Sequence, residues 1–177
     1  MPQRPPRDAA ETLRDEEEDL LRDIAHMLLH PTLLHNPKDK VIPALTACCL
    51  VEMLRLFAPE APYDASQLQT VFTAFFQQCR YVTEMDSPLM QYSVHILSSL
   101  AAVRSVLCLF DASGAASLFT SLVQHCFGWI RAEQPEILRS ALLHLLEATI
   151  NEAEAVPHAV TQTLISALLD KVFFDGR

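Results

Sequence analysis

Glycine is almost missing from this chain, with three in 177 residues. So few cannot build a phosphate cradle, and with no alternating β-branched runs they argue for helices over sheet. No CxxC pair occurs among the five cysteines, Cys48, Cys49, Cys79, Cys108 and Cys126. An odd count without paired spacing fits neither a disulfide framework nor a zinc ribbon. No uninterrupted apolar run reaches the roughly 18 residues that a spanning helix needs, so no membrane partner is expected. Positive charge is short as well: 13 Lys and Arg against 22 Asp and Glu leave a formal net charge of −9. The basic residues form no stripe, and direct nucleic-acid binding, which depends on neutralising phosphates, is not expected. No G-x-S-x-G turn marks a hydrolase, and neither catalysis nor a cofactor is expected. The first residues, MPQRPPRDAAETLRDEEED, are charged where a secretory leader would be apolar. Free thiols in a reducing compartment and a soluble, intracellular chain are therefore expected.

What remains is half hydrophobic and patterned for helices. Residues 1–12 read as a disordered tail and 13–177 as one helical array. A first helix is expected from Asp15, with Leu20, Leu21, Ile24, Met27 and Leu28 as its apolar stripe and Pro31 as its stop. A second runs from near Lys38 to Phe57; Pro43 is tolerable only close to its start, and its narrow polar stripe, Glu52 and Arg55, predicts burial nearly all round. A third carries Leu68, Val71, Phe72, Phe75, Phe76 and Cys79 in helical register, opened by Asp64 with Gln67 as capping-box partner. A fourth starts at Ser87-Pro88 and carries Tyr92, Ile96, Leu97, Leu100 and Val103. After a break at Asp111 to Gly114, a fifth spans about 115–130. A sixth opens near Pro135 with Ile137, Leu138, Ala141, Leu142, Leu145 and Leu146. A seventh starts at Pro157 and aligns Val160, Leu164, Leu168 and Val172.

Helices two, four and six open near Lys38, Ser87 and Gln134, spaced about 49 and then 47 residues apart, close to the length of a HEAT or armadillo unit. The expected fold is all-α: a HEAT/armadillo-type α-solenoid of about three helical hairpins plus an extra helix, with the seventh unpaired. Such hairpins must stack to bury their apolar faces. The apolar last helix suggests one end of a longer solenoid.

Few residues suggest chemistry. Adjacent Cys48 and Cys49 point about 100° apart on a helix, unsuited to chelating one metal, and read as small thiols filling a helix contact. His26 and His30 share a helix face with His35 nearby, half of a zinc site at most, and no metal is expected. Glu16 to Asp19 read as a solvated helix start. The segment APEAPY, residues 58–63, is different. Pro59 bars helix at Ala58 and Pro62 stiffens the crossing. Neither explains the acid and aromatic around them. A rigid rim bearing Arg55, Pro59, Glu60, Pro62 and Tyr63 is a candidate dock for a short peptide, since little entropy is lost on binding.

The run ACCLVEMLRLFAPEAPY resembles the signature near the amino terminus of the precocious-dissociation-of-sisters-five family, cohesin-associated HEAT-repeat regulators. His35 through Val41 with Ala44-Leu45 resembles the approach to that signature. Ser87, Pro88, Tyr92, Leu97, Leu100, Ala101, Val103 and Ser105 are similar to the helix after it, and Glu152, Val156 and Pro157 to its next bend. Pro43 stands where the family usually has a basic residue, and Ser98 where it usually has an acid. The likeness covers roughly 25–170. It implies a nuclear, chromatin-associated, non-enzymatic scaffold that binds the kleisin subunit of cohesin and the releasing factor Wapl, and so regulates sister chromatid cohesion in mitosis. The alternative is a capping segment of a longer solenoid with no partner site of its own.

Overall fold

The computed structural model describes residues 9–130 and 134–174. Among them, every regular element is a helix. The α-helices are α1 (Ala9–Met27), α2 (Pro31–Leu34), α3 (Val41–Phe57), α4 (Ala65–Cys79), α5 (Met90–Ala102), α6 (Ala115–Trp129), α7 (Glu136–Glu152) and α8 (His158–Phe174). Two 3-10 helices, Arg80–Thr83 and Ser105–Asp111, connect them.

Local chemistry explains the boundaries. The Asp39 carboxylate accepts the Val41 amide at 2.8 Å, so Pro43 falls in the first turn of α3, where a missing amide hydrogen leaves no bond unmade. Asp64 caps α4, accepting the Ser66 and Gln67 amides at 2.8 Å, while the Gln67 side chain accepts the Asp64 amide at 3.0 Å. Gly114 opens α6 at φ 70, a conformation costly for any residue with a Cβ. Pro31 follows the end of α1 and then begins α2, a single turn capped by the His30 side chain on the Thr32 amide. Ser87 to Leu89 form a turn, and α5 proper opens at Met90. It ends at Ala102, and Arg104 then takes a left-handed conformation that turns the chain into the second 3-10 helix.

The helices stack in two layers. In one, α3 packs on α5 and α5 on α7; in the other, α4 packs on α6 and α6 on α8. Helices two, four and six of the sequence reading are α3, α5 and α7, and they lie side by side. The 3-10 helix Ser105–Asp111 sits between the layers, touching α4, α5, α6 and α7. One apolar cluster runs through all three hairpins, from Leu50 and Leu54 through Phe72, Phe75, Ile96, Leu97, Phe119 and Leu122 to Leu138, Leu142 and Val160. Phe72 meets Phe75 edge-on at 5.7 Å, a favoured aromatic geometry. Buried polar groups are tied into this seam. Ser93 Oγ donates to the Gln78 carbonyl at 2.7 Å, and Gln134 Nε2 donates to the carbonyls of Trp129 at 2.8 Å and Val82 at 3.1 Å.

The array is the expected HEAT-like solenoid, with corrections in detail. The helix outside the three hairpins is the first, not the last, because α8 packs on α6 as the end of the second layer. The expected stripe of α1 largely faces solvent: Leu20 is 60% and Met27 70% exposed, and Ala25 enters the core instead. This helix meets the apolar cluster at its carboxyl-terminal end, through Ala25 and, just past it, Leu28 and Leu29, while Arg22 lies over the Phe57 ring. Nor is α3 buried all round. It is the first helix of its layer, and Val41, Leu45, Cys49 and Leu56 are exposed. Val103 is exposed because α5 stops before it, and Ile137, 68% exposed, lies on the outer side of α7. Residues 1–8 of the expected tail, and the side chains of Leu168 and Val172, lie outside the described residues. Among the described residues no single helix is long and apolar enough to cross a membrane.

Leu142 is fully buried in the seam while Ile137, on the same helix, is not. Urea unfolding should show Leu142→Ala losing about 2–5 kcal/mol and Ile137→Ala changing stability by about 0.5 kcal/mol or less.

Candidate functional site

The bend between α3 and α4 is built by its prolines. Ala58, the C-cap of α3, sits at φ −53 and ψ 136, as expected before a proline, and the Ala58-Pro59 peptide is cis. Pro59 and Glu60 stand exposed, and the chain then dives: Pro62 is buried and Tyr63 is 7% exposed. Pro62 and Tyr63, expected on a free rim, are therefore part of the interior. For Tyr63 the last turn of α1 supplies part of the cover. The His26 ring meets the Tyr63 ring edge-on at 6.2 Å, and His26 Nδ1 hydrogen-bonds Gln67 Nε2 at 3.1 Å. Tyr63 is an anchor for the first helix, and among the described residues its hydroxyl has no hydrogen-bond partner. Burial pushes its pKa well up.

Two clefts open on either side of Pro59. The first, about 520 Å³, lies between α1 and the bend. Its floor includes Leu21, Leu56 and Phe57, with Glu17, Glu18 and Glu60 among its polar residues. Arg22 also lines it, but its charge is engaged: the guanidinium lies 4.8 Å over the Phe57 ring and bonds Glu18 at 2.7 Å. The second cleft, about 770 Å³, runs along the same edge of the array. It joins Leu54, Ala58 and Pro59 to Arg104, Ser105 and Asp111 after α5, and to Glu152, Glu154 and Pro157 after α7. Ser105 Oγ is buried on this wall without a partner among the described residues. The same edge thus carries the connections that follow α3, α5 and α7.

Arg55, the remaining residue of the expected rim, is exposed but lines neither cleft. It pairs with Glu52 at 2.6 Å, and Glu52 also meets His95 at 3.2 Å and Ser99 at 3.3 Å on α5. Burial alone would raise the Glu52 pKa, but the Arg55 hydrogen bond and charge, His95 and Ser99 together outweigh it and hold the carboxylate below its usual range. Arg55 therefore belongs to the α3–α5 face. Sequence reasoning found Pro59 and Glu60. It missed Glu17, Glu18 and Leu21 because their meeting with the bend is set by how α1 crosses the array, which no local pattern encodes.

The other candidates resolve into structure. Cys48, half-buried, donates weakly to the Tyr92 carbonyl at 3.8 Å, and burial pushes its thiol up to about 11, so it is not a nucleophile at neutral pH. Cys49, expected as buried filler, is exposed. His26 is taken by Gln67, and His30 bonds Thr32 Oγ1 at 2.8 Å. Among the described residues no three His, Cys, Asp or Glu side chains gather as a metal site.

The family model of the sister chromatid cohesion protein PDS5 matches residues 7–173. The sister chromatid cohesion protein pds5 of Schizosaccharomyces pombe is 29% identical over 153 residues, covering 86% of this chain and 13% of that protein. Human sister chromatid cohesion protein PDS5 homolog A is 29% identical over 156 residues, covering 88% of this chain and 11% of its own length. A solved structure of the Pds5-Scc1 complex superposes with a TM-score of 0.73 at 27% identity, over 84% of this chain and 22% of that one. This chain spans about a tenth of the length of the curated relatives it matches.

Tyr63→Phe removes the stranded hydroxyl while keeping the ring, and should raise stability by about 1 kcal/mol at neutral pH. A phenol whose folded pKa lies above its unfolded value of about 10 contributes stability that is whole below that pH and falls as pH rises past it. Urea titrations at pH 7 and 10.5 should therefore show a shallower alkaline loss in Tyr63→Phe than in the wild type. The thiols Cys48, Cys79, Cys108 and Cys126, whose pKa values burial also raises, contribute to the part that remains.

Proposed function

Because the chain belongs to the PDS5 family of sister chromatid cohesion proteins, we propose that it is a non-enzymatic helical scaffold that regulates the association of cohesin with chromatin in the nucleus. It acts by holding a short peptide of a cohesin subunit or regulator, the kleisin or Wapl, against the bend after α3. The observation that carries this reading is the position of Pro59 and Glu60: both are exposed, on the lip of a cleft whose floor is apolar. A rigid lip and a formed floor reduce the entropy lost when a peptide docks. Glu17, Glu18 and Glu60 suit a peptide with a basic residue beside an apolar one. Support also comes from the matched Pds5, whose structure is of a complex with Scc1.

A second reading, a capping segment that binds nothing, is favoured by one observation. Pro62 and Tyr63 are buried, Tyr63 against His26 of α1, so half of the bend serves the fold.

Pulldown on immobilised Wapl and kleisin peptides separates the two. Glu60→Lys combined with Leu56→Ser, both at exposed positions, should weaken capture about tenfold or more while leaving the helical circular dichroism unchanged. Undiminished capture removes the site, and no capture by the wild type supports the capping reading.

A further inference from the structure

The far end of the α3–α4 hairpin, away from the bend after α3, carries a third cleft of about 580 Å³. Its walls come from the loop before α3 and from the residues where α4 ends. Leu34, Pro37, Pro43 and Tyr81 give it apolar surface, and Lys40 and Arg80 give it charge. Among the described residues, no Asp or Glu lines it. That is unusual for a chain of net charge −9, and it contrasts with Arg22 and Arg55, each paired with a glutamate.

Arg80 is held by its side chain, and Lys40 stands on a fixed stretch of backbone. The Arg80 guanidinium lies 4.8 Å over the Tyr81 ring and donates to the Tyr81 hydroxyl at 2.8 Å, which leaves its remaining donors free of a carboxylate among the described residues. Lys40 stands at the N-cap of α3, where the helix dipole favours an acid and a cation is opposed. The loop leading to it is fixed: Asn36 Oδ1 accepts the Lys38 amide at 3.0 Å and the Asp39 amide at 3.1 Å. Asp39, the nearest acid in sequence, accepts the Val41 amide and does not line the cleft. A lysine at the wrong end of a dipole, lining a proline-bearing cleft with an arginine that has no carboxylate partner among the described residues, does nothing for the stability of α3.

The geometry points to a docking site for an acidic peptide with an apolar residue, its carboxylates meeting Lys40 and Arg80 and its apolar side chain lying on Tyr81 and the prolines. A peptide fits better than nucleic acid. Two cations beside an apolar floor do not make the extended basic track a phosphate backbone needs, and the net charge of the chain repels one. This site is separate from the bend after α3 and does not depend on its role.

The test is fluorescence anisotropy of the full chain with a labelled hexapeptide alternating glutamate and leucine. The peptide should bind, weaken with added salt, and lose at least about tenfold in affinity in Lys40→Gln/Arg80→Gln. Arg80→Lys, which keeps the charge, should retain most of the affinity, and Glu60→Lys, at the other end of the hairpin, should leave it unchanged. Thermal melts of each variant separate loss of binding from loss of fold. Absence of binding by the wild type, or binding that survives the double substitution in a folded protein, overturns the proposal. So does a DNA oligonucleotide that binds through Lys40 and Arg80 more tightly than the peptide.

Discussion

The apolar seam between the two layers is the constraint on which everything else rests. No hairpin here encloses a core. Each helix buries one side against a partner in the other layer and its flanks against neighbours in its own. Leu50 and Leu54 of α3, Phe72 and Phe75 of α4, Ile96 and Leu97 of α5 and Leu142 of α7 are all buried in one connected cluster. Stability in such an array is a sum of helix-pair interfaces, each of which exists only while its neighbour is in place. The polar ties are few and serve the same end, since Ser93 and Gln134 bond carbonyls freed where α4, α6 and the 3-10 helix Arg80–Thr83 end.

A seam of this kind settles where function can sit. Its interior is closed, and its ends and edges are left as surface. The bend after α3 shows the division within six residues. Pro62 and Tyr63 turn inward, Tyr63 against His26 of α1, while Pro59 stays out between two clefts and Glu60 on the lip of the first. Under the proposed function, the buried half supplies rigidity and the exposed half recognition. A peptide meeting such a lip would find it already shaped, which lowers the entropy lost on docking.

Much of this was legible in the residues. The capping box at Asp64 and Gln67, the helix opening beside Pro135 and the repeat spacing all carry local signatures, and the structure contains each. The two-layer stacking followed from that spacing. What local pattern could not provide was which side of a helix meets a neighbour. The leucines of α1 repeat at helical spacing, yet Leu20, Ile24 and Met27 face solvent and Ala25 meets the apolar cluster instead. Tyr63 looked like a polar-tipped aromatic on a loop, and it is buried, in part against His26 of α1. The 3-10 helix Ser105–Asp111 was hidden for another reason: its entry depends on Arg104 adopting φ 54, which the sequence does not advertise with a glycine. Even at the candidate site the split is the same, with Pro59 and Glu60 readable from the bend and Glu17, Glu18 and Leu21 brought in by tertiary packing.

Native-state hydrogen exchange addresses the seam most directly. If the hairpins hold one another, weakening a single interface must loosen helices that the altered residue does not belong to. Exchange in a Leu142→Ala variant should show protection lost in α5 and α6 as well as in α7, and a smaller loss reaching α3 and α4. Loss confined to α7, with α5 and α6 as protected as before, would contradict a shared core and reduce the array to independently folded hairpins.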